Sequence, residues 1–183
     1  KSNSARQASV FKTVARGDEK YHFKKYRVWY IILCASEHSV LGIDKVQFCQ
    51  LKQKGGIYVN GTKNKCEIFN NELNYNNLVG IKVENGASPH LLLNHIKNTL
   101  GTGIHILTNS TAFLEKNIVS GSLKCNVVIE GPNNIGNYLY NNIIEDSRGD
   151  GLFLANSEKF LITNNKIRRN HNGILSVTSV VNI

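Results

Sequence analysis

The chain has 183 residues, of which 41% are hydrophobic and 19% are charged. This length and composition fit one domain with a buried core, exclude a disordered chain, and leave little room for a second domain. The net charge of +9 is uneven, because residues 1–54 hold 11 Lys/Arg and 4 Asp/Glu whereas residues 55–183 hold 11 and 9.

Residues 1–37 are predicted to form a basic N-terminal flank or cap. The stretch "KYHFKKYRVWY" at 20–30 mixes basic and aromatic residues, a pattern that suits a solvated cap, a nucleic acid or an anionic membrane. No nucleic-acid motif accompanies it, so the sequence favours the solvated cap. "WYIILCAS" at 29–36 is too short to span a bilayer. A chain that begins with Lys1 and lacks methionine is expected to be a fragment or a processed product.

Cysteine usage favours a reducing compartment. The chain has four cysteines without a CxxC pair, and its length does not require a disulfide scaffold. Free buried thiols are therefore the preferred interpretation of Cys34, Cys49, Cys66 and Cys125. This predicts an intracellular protein, cytoplasmic or nuclear, and a secreted one only if the chain acts on carbohydrate.

From residue 38 to residue 183 the sequence repeats with a period of about two dozen residues. One marker is a small residue before an apolar-x-apolar strand, and its steps are 24, 23, 23, 25 and 22 residues. The other marker is Asn-x-apolar, with steps of 23, 22, 26 and 23 residues. The first marker begins at Gly56, Gly80, Gly103, Asn126, Gly151 and Gly173. Two markers with one period indicate a true repeat protein.

The repeat predicts an all-β fold, a right-handed single-stranded parallel β-helix of about five to six coils. Short strands without helical spacing, and without a leucine-rich consensus, favour this solenoid over other repeat folds. Residues 38–56 fit a degraded first coil, and the chain stops within a coil at 178–183. Alternate apolar residues are expected to stack inside, namely Ile57, Ile81, Val83, Ile104, Ile106, Val127, Ile129, Leu152 and Leu154, with Ile174 continuing the column.

Two kinds of residue are predicted to form the corners of each coil. Asparagine tolerates left-handed backbone and can stack in a side-chain ladder. One repeat position holds Asn71, Asn94, Asn142 and Asn165, and Lys116 interrupts this set. Glycines before the apolar strands are expected to supply the other tight corner. These turn glycines are Gly56, Gly80, Gly103, Gly151 and Gly173.

The repeats resemble a known group of β-helices. The segment "GGIYVNGTKNKCEIFNNELNYNNLVGIKVENGASPHLLLNHI" at 55–96 is similar to the repeats of F-box proteins of the eleven type and of the Shc SH2-domain-binding proteins. "GASPHLLLNHI" at 86–96 matches the last element of that unit, and the resemblance covers about residues 38–183. It implies a non-catalytic module that binds proteins, which in the F-box relatives is the substrate receptor of a ubiquitin ligase.

The alternative is a β-helix that cleaves or binds polysaccharide, a role that the wider repeat group also includes. Such enzymes need grouped carboxylates, with calcium or an arginine base in the lyases. The candidate segment is "EDSRGDG" at 145–151, in which Asp146, Arg148 and Asp150 are the weak catalytic candidates. Arg168 and Arg169 follow about one coil later, and His171 could approach Arg148 or Asp150. Acidic loops are more often solvated than catalytic.

The sequence therefore predicts an interaction module with a protein partner or substrate, and a glycan ligand under the alternative. No cofactor motif, metal-ligand spacing or phosphate-binding loop is present. The oligomeric state is not predicted.

Overall fold

The computed structural model describes residues 11–15, 20–24, 31–35, 42–47, 56–61, 67–179 and 181–182, with side chains at 56–61 and 67–179. These residues form 21 short β-strands. In chain order the strands are β1 (Phe11–Ala15), β2 (Lys20–Lys24), β3 (Ile31–Ala35), β4 (Gly42–Gln47), β5 (Ile57–Asn60), β6 (Glu67–Phe69), β7 (Glu72–Asn74), β8 (Val79–Glu84), β9 (His90–Leu92), β10 (His95–Lys97), β11 (Thr102–Ile106), β12 (Phe113–Glu115), β13 (Ile118–Ser120), β14 (Val127–Glu130), β15 (Tyr138–Tyr140), β16 (Ile143–Glu145), β17 (Leu152–Ala155), β18 (Phe160–Thr163), β19 (Lys166–Arg168), β20 (Ile174–Val177) and β21 (Val181–Asn182).

The strands form three parallel sheets that wind as a solenoid. Sheet 1 has the order β1-β3-β5-β8-β11-β14-β17-β20, and sheet 2 has the order β2-β4-β6-β9-β12-β15-β18-β21. Sheet 3 is β7-β10-β13-β16-β19. Within the described residues, five successive turns therefore supply one strand to each sheet. This architecture confirms the predicted parallel β-helix.

The pairing extends into the segment that the sequence analysis assigned to a flank. Strand β1 pairs in register with β3, and β3 pairs in register with β5, although β1, β2 and β3 all lie within residues 1–37. The apolar runs "FKTVA" and "IILCA" supply these two strands of sheet 1. Parts of the predicted cap and of the degraded first coil lie outside the described residues, namely 1–10, 16–19, 25–30, 36–41 and 48–55.

The core consists of alternate side chains that point into the solenoid from all three sheets. In β8, Ile81 and Val83 are fully buried, whereas Lys82 between them faces outward. The predicted inward residues of sheet 1 are confirmed as buried, and Ile174 in the last turn is partly buried. Sheet 2 adds the buried column Ile68, Leu91, Leu114, Leu139 and Ile162, and sheet 3 adds Leu73, Ile96, Val119 and Ile144. No turn buries this apolar surface without its neighbours.

A ladder of asparagine side chains crosses the corner between sheets 2 and 3. Each Nδ2 donates a hydrogen bond to the Oδ1 of the next residue at 2.8 to 3.0 Å. The ladder consists of Asn71, Asn94, Asn117, Asn142 and Asn165. The expectation that Lys116 interrupts it is wrong, because Asn117 fills the position and the exposed Lys116 lies one residue earlier.

Left-handed backbone at this corner belongs to the residue before each ladder position. Lys116 has a φ of 53°, Leu93 has 56° and Asn141 has 56°. The ladder asparagines themselves do not have positive φ. Their amides therefore serve to join the turns, and a left-handed neighbour makes the bend.

None of the predicted turn glycines has left-handed backbone, and four of the five are needed instead because the turns pack closely there. Gly80 lies within β8, and a Cβ there would be 2.5 Å from Gly103 O and 2.5 Å from Ile96 Cγ2. A Cβ on Gly103, within β11, would be 2.5 Å from Asn126 O. Gly56 and Gly151 are similarly crowded, at 2.1 and 2.5 Å, whereas a Cβ on Gly173 would meet nothing within 4 Å.

Candidate functional site

Glu145 and Asp146, at the start of the 145–151 segment, form ion pairs with arginines of the following turn. Arg168 Nε lies 2.7 Å from Glu145 Oε2, and Arg169 Nη2 lies 2.9 Å from the same oxygen. Arg169 also holds Asp146 with two bonds of 2.6 and 2.9 Å. Its hydrogen bonds lower the pKa of the Asp146 carboxyl. The arginines do lie one turn away, and they neutralise the carboxylates on the surface.

The other candidates of this segment have separate contacts. Asp150 accepts a 2.6 Å hydrogen bond from Asn172 Nδ2 and lies 3.8 Å from Cys125 Sγ. Burial raises the pKa of the Cys125 thiol, which is free and half-buried. Arg148 is exposed, and no hydrogen bond or ion pair among the described side chains joins it to Asp146 or Asp150. The structure thus does not assemble the three weak candidates into one site.

The described residues contain no group of three or more His, Cys, Asp or Glu side chains arranged to hold a metal ion. Two of the histidines each contact a glutamate of the next turn. His90 Nε2 lies 3.3 Å from Glu115 Oε2, and His105 Nε2 lies 2.7 Å from Glu130 Oε1.

An aromatic column lies on the outer face of sheet 2 and consists of His90, Phe113, Tyr138 and Tyr140. The register of β9, β12 and β15 places the first three on successive turns. The His90 and Phe113 rings meet edge to face at 5.4 Å between centroids, and Phe113 lies 4.4 Å from Tyr138. The rings of Tyr138 and Tyr140 are stacked at 5.8 Å. Because each ring packs against its neighbour, the side chains have few alternative conformations and present a fixed surface.

This aromatic column is accessible and has apolar neighbours. Phe113 is 44% exposed, Leu93 at the adjacent corner is 43% exposed, and Leu161 on the next strand is 50% exposed. Glu115 pairs with Lys116 at 2.8 Å beside the column. An exposed apolar surface of this kind, edged by charges, is typical of a binding surface.

A polar cluster occupies the outer face of sheet 1 and consists of Tyr58, Lys82, Glu84, His105 and Glu130. The Tyr58 hydroxyl donates a hydrogen bond to Glu84 Oε1, and Lys82 Nζ lies 2.7 Å from Glu84 Oε2. Lys82 Nζ also lies 5.1 Å from the centre of the Tyr58 ring. Parallel register brings these residues together from four successive turns.

The two carboxyl groups of the polar cluster have different surroundings. The Glu84 side chain is 17% exposed, and that of Glu130 is 39% exposed. Burial raises the pKa of the Glu84 carboxyl, and the charge of His105 opposes this rise.

Sequence reasoning missed both the aromatic column and the polar cluster. The sequence does carry a signal for the polar cluster. Lys82 and His105 are 23 residues apart, and His105 and Glu130, which are in contact across turns, are 25 residues apart. The members of each cluster are far apart in sequence and form no contiguous motif. Reading outward positions across turns at the repeat period would have found them.

The comparisons agree with the fold. Over residues 30–183 the chain matches the family model described as the right-handed beta helix region. No curated protein and no solved structure matches the chain. Among the described residues, no helix has the length and apolar character to cross a bilayer.

Proposed function

Because the chain belongs to the right-handed β-helix family, which builds rigid rods with long flat faces, we propose that it is a protein-interaction module. Its recognition surface is the aromatic column on sheet 2. The observation that carries this proposal is the contact between rings of successive turns, which leaves Phe113 44% exposed.

Aromatic side chains that are already ordered lower the entropic cost of binding a partner. Tyrosine and other aromatic side chains are enriched in the centres of protein interfaces, and a few of them carry most of the binding energy. Ordering mobile side chains costs about 0.5–1.5 kcal/mol each on association. Phe113 and Tyr138 are already packed against each other at 4.4 Å, so they lose little freedom when a partner covers them. A protein surface with matching apolar side chains suits this face.

A narrower form of the proposal makes the partner a substrate of a ubiquitin ligase. The repeat resemblance at 55–96 supports it, and it requires an F-box in the full-length protein. The full-length gene sequence tests this form. A reading frame without an F-box contradicts it and leaves the broader proposal intact.

The experiment compares capture of partners by the wild-type protein and by two variants. Phe113→Ala with Tyr138→Ala removes the centre of the aromatic column. Phe153→Ala removes an outward ring of sheet 1 and serves as the matched control. Each protein is immobilised, exposed to a lysate of the source cells, and analysed by quantitative mass spectrometry.

We expect at least one protein to be retained by the wild type and the Phe153 variant and lost by the double variant. Its recombinant form should then bind the wild type in calorimetry, with affinity reduced at least tenfold by the double substitution. Equal capture by all three proteins contradicts the proposal. Binding of a glycan array that depends on Phe113 would assign the column to carbohydrate instead.

A further inference from the structure

The corner between sheets 3 and 1 has polar side chains inside and apolar side chains outside. Asn76, Thr99 and Ser122 occupy this corner on three successive turns, and all three are fully buried. The residues that directly follow Thr99 and Ser122 are Leu100 and Leu123, whose side chains are largely exposed. Burial of apolar surface stabilises a fold, so a corner that faces only water favours the opposite arrangement.

Backbone hydrogen bonds stack the exposed leucines along the solenoid. Leu100 N donates to Asn76 O at 2.8 Å. Leu123 N donates to Thr99 O at 2.9 Å, so the two leucines take the same place on adjacent turns. The preceding turn adds a leucine and a tyrosine, and all four side chains are 42–58% exposed. This apolar ridge consists of Tyr75, Leu78, Leu100 and Leu123.

The apolar ridge ends in two cations. Arg148 N donates to Ser122 O at 3.0 Å, which places Arg148 on the next turn in line with Leu123. Lys124 directly follows Leu123, and both cations are exposed. Among the described side chains, no ion pair engages either of them. The corner therefore presents apolar side chains and available positive charge side by side.

We propose that the apolar ridge and its two cations dock the protein onto a membrane surface that contains anionic phospholipid. Apolar side chains of a docked protein enter the boundary between the headgroups and the acyl chains, and lysine and arginine attract anionic headgroups. The tyrosine at one end of the ridge suits this boundary, since its ring is apolar and its hydroxyl can stay in water.

Charge and shape favour lipid as the occupant of this corner. The chain has a net charge of +9. The aspartates of the corner are engaged within the protein, because Arg169 pairs with Asp146 at 2.6 Å and Asn172 donates to Asp150 at 2.6 Å. A ridge is convex, and a lipid surface yields around it, whereas a protein partner would need a matching groove. The ridge includes no residue of sheet 2, so this proposal and that for the aromatic column can fail independently.

The test measures sedimentation of the purified chain with unilamellar vesicles. Vesicles of phosphatidylcholine alone are compared with vesicles of an equimolar mixture of phosphatidylcholine and phosphatidylserine. Leu100→Ser with Leu123→Ser removes the centre of the ridge. Ile135→Ser with Leu175→Ser is the matched control, because these two side chains are similarly exposed elsewhere on the surface. Circular dichroism verifies that each variant folds.

We expect the wild type and the control to sediment with the mixed vesicles. The ridge variant should lose at least about tenfold in partition coefficient, since each leucine would bury apolar surface in the lipid. Lys124→Gln with Arg148→Gln should lose about fivefold for each charge removed. Higher salt should weaken the binding of the wild type by screening the same charges.

Three results of the vesicle experiment overturn the proposal: no sedimentation of the wild type with mixed vesicles, equal binding to both kinds of vesicle, or undiminished binding of the folded ridge variant. Analytical ultracentrifugation without vesicles tests the competing occupant. A wild-type dimer that the leucine substitutions dissociate would assign the ridge to a second copy of the chain and overturn the lipid proposal. Lys124 and Arg148 are exposed, so the variant without these charges keeps the test decisive if the ridge variant does not fold.

Discussion

At the scale of single residues, buried asparagine amides connect one turn of the solenoid to the next. Asn117 shows how completely such an amide is used. Its Nδ2 donates to Leu91 O at 2.8 Å and to Asn142 Oδ1 at 3.0 Å, and its Oδ1 accepts from the backbone and side chain of Asn94. Removal of this side chain leaves buried polar atoms on both neighbouring turns without partners.

We therefore expect Asn117→Ala to lower the free energy of unfolding by about 3 kcal/mol, since each orphaned buried group costs about 1–3 kcal/mol. Asn172→Ala is the control, because Asn172 is exposed and its side chain bonds only to the loop residue Asp150. The control should change the stability by less than about 0.5 kcal/mol. Urea unfolding followed by circular dichroism measures both, and equal effects would contradict a structural role of the ladder.

A second residue-scale prediction concerns His95 on the outer face of sheet 3. Burial, assisted by the charge of Lys97 and opposed by that of Glu72, lowers the pKa of His95 in the folded state. The unfolded chain then takes up a proton at higher pH than the folded protein, so stability falls as the pH drops through about 6.5. His95→Gln removes this titration.

The free energy of unfolding of the wild type should thus decline more than that of His95→Gln between pH 7.5 and pH 5.5. The other titrating groups are common to both proteins and cancel in the comparison. Denaturant unfolding at four or more pH values provides the two slopes. Parallel slopes would show that His95 is as solvated in the folded protein as in the unfolded chain.

At the scale of the strands, close stacking of backbone fixes which glycines the fold requires. Gly103 lies in β11, where a Cβ would meet Asn126 O and Val119 Cγ1, both at 2.5 Å. Neither neighbour can withdraw without disturbing the strand or the core on the next turn. Gly173 precedes β20 in open space, with nothing within 4 Å of the same added atom.

Gly103→Ala should therefore lower the stability by about 2 kcal/mol, the usual cost of overpacking. Gly173→Ala should leave it unchanged or raise it by up to about 1 kcal/mol, because alanine restricts the unfolded chain. Differential scanning calorimetry of the two variants gives the comparison. A Gly103 variant as stable as the wild type would mean that the turns are farther apart than the structure places them.

At the scale of the whole molecule, the turns are interchangeable units that contact only their neighbours. Residues 94–116 span one complete unit, from one ladder asparagine to the residue before the next. Leu93 and Lys116, which precede the two ladder positions, have nearly the same left-handed φ of 56° and 53°. Joining residue 93 directly to residue 117 therefore keeps both the corner and the column of apolar side chains.

We expect the deletion of 94–116 to yield a folded protein with cooperative unfolding and somewhat lower stability, since the solenoid loses one internal interface. Deletion of 94–105 removes about half a turn and should prevent folding, because every later strand changes sheet. Far-UV circular dichroism and thermal unfolding distinguish the two. Two equally folded deletions would be incompatible with stacked turns.

Much of this architecture could be predicted because each turn repeats the same inward pattern. Ile81, Ile104 and Val127 mark one column from the sequence alone, and their burial follows from period and polarity. Asn117 was missed because Ile118 follows it directly, so that the Asn-x-Ile pattern of its neighbours assigns Lys116 to the asparagine position. The spacing of 23 residues from Asn94, equal to that between Asn71 and Asn94, would have identified Asn117.

The outward clusters were harder to predict for a different reason. Their members lie 23 to 25 residues apart, and outward positions tolerate any polar or aromatic residue. Only the exact register shows that Phe113 faces Tyr138 or that His105 contacts Glu130. The segment 145–151 was predicted as a candidate site because its charged residues are contiguous, although two of its carboxylates, Glu145 and Asp146, are paired with arginines.

The most direct test of the stacked-turn arrangement is a NOESY spectrum of the protein labelled with ¹⁵N at asparagine. The structure predicts contacts between the side-chain amide protons of Asn94 and both Asn71 and Asn117, and slow exchange of these protons with solvent. Asn94 amide protons that exchange within minutes and contact only residues near in sequence would contradict the account.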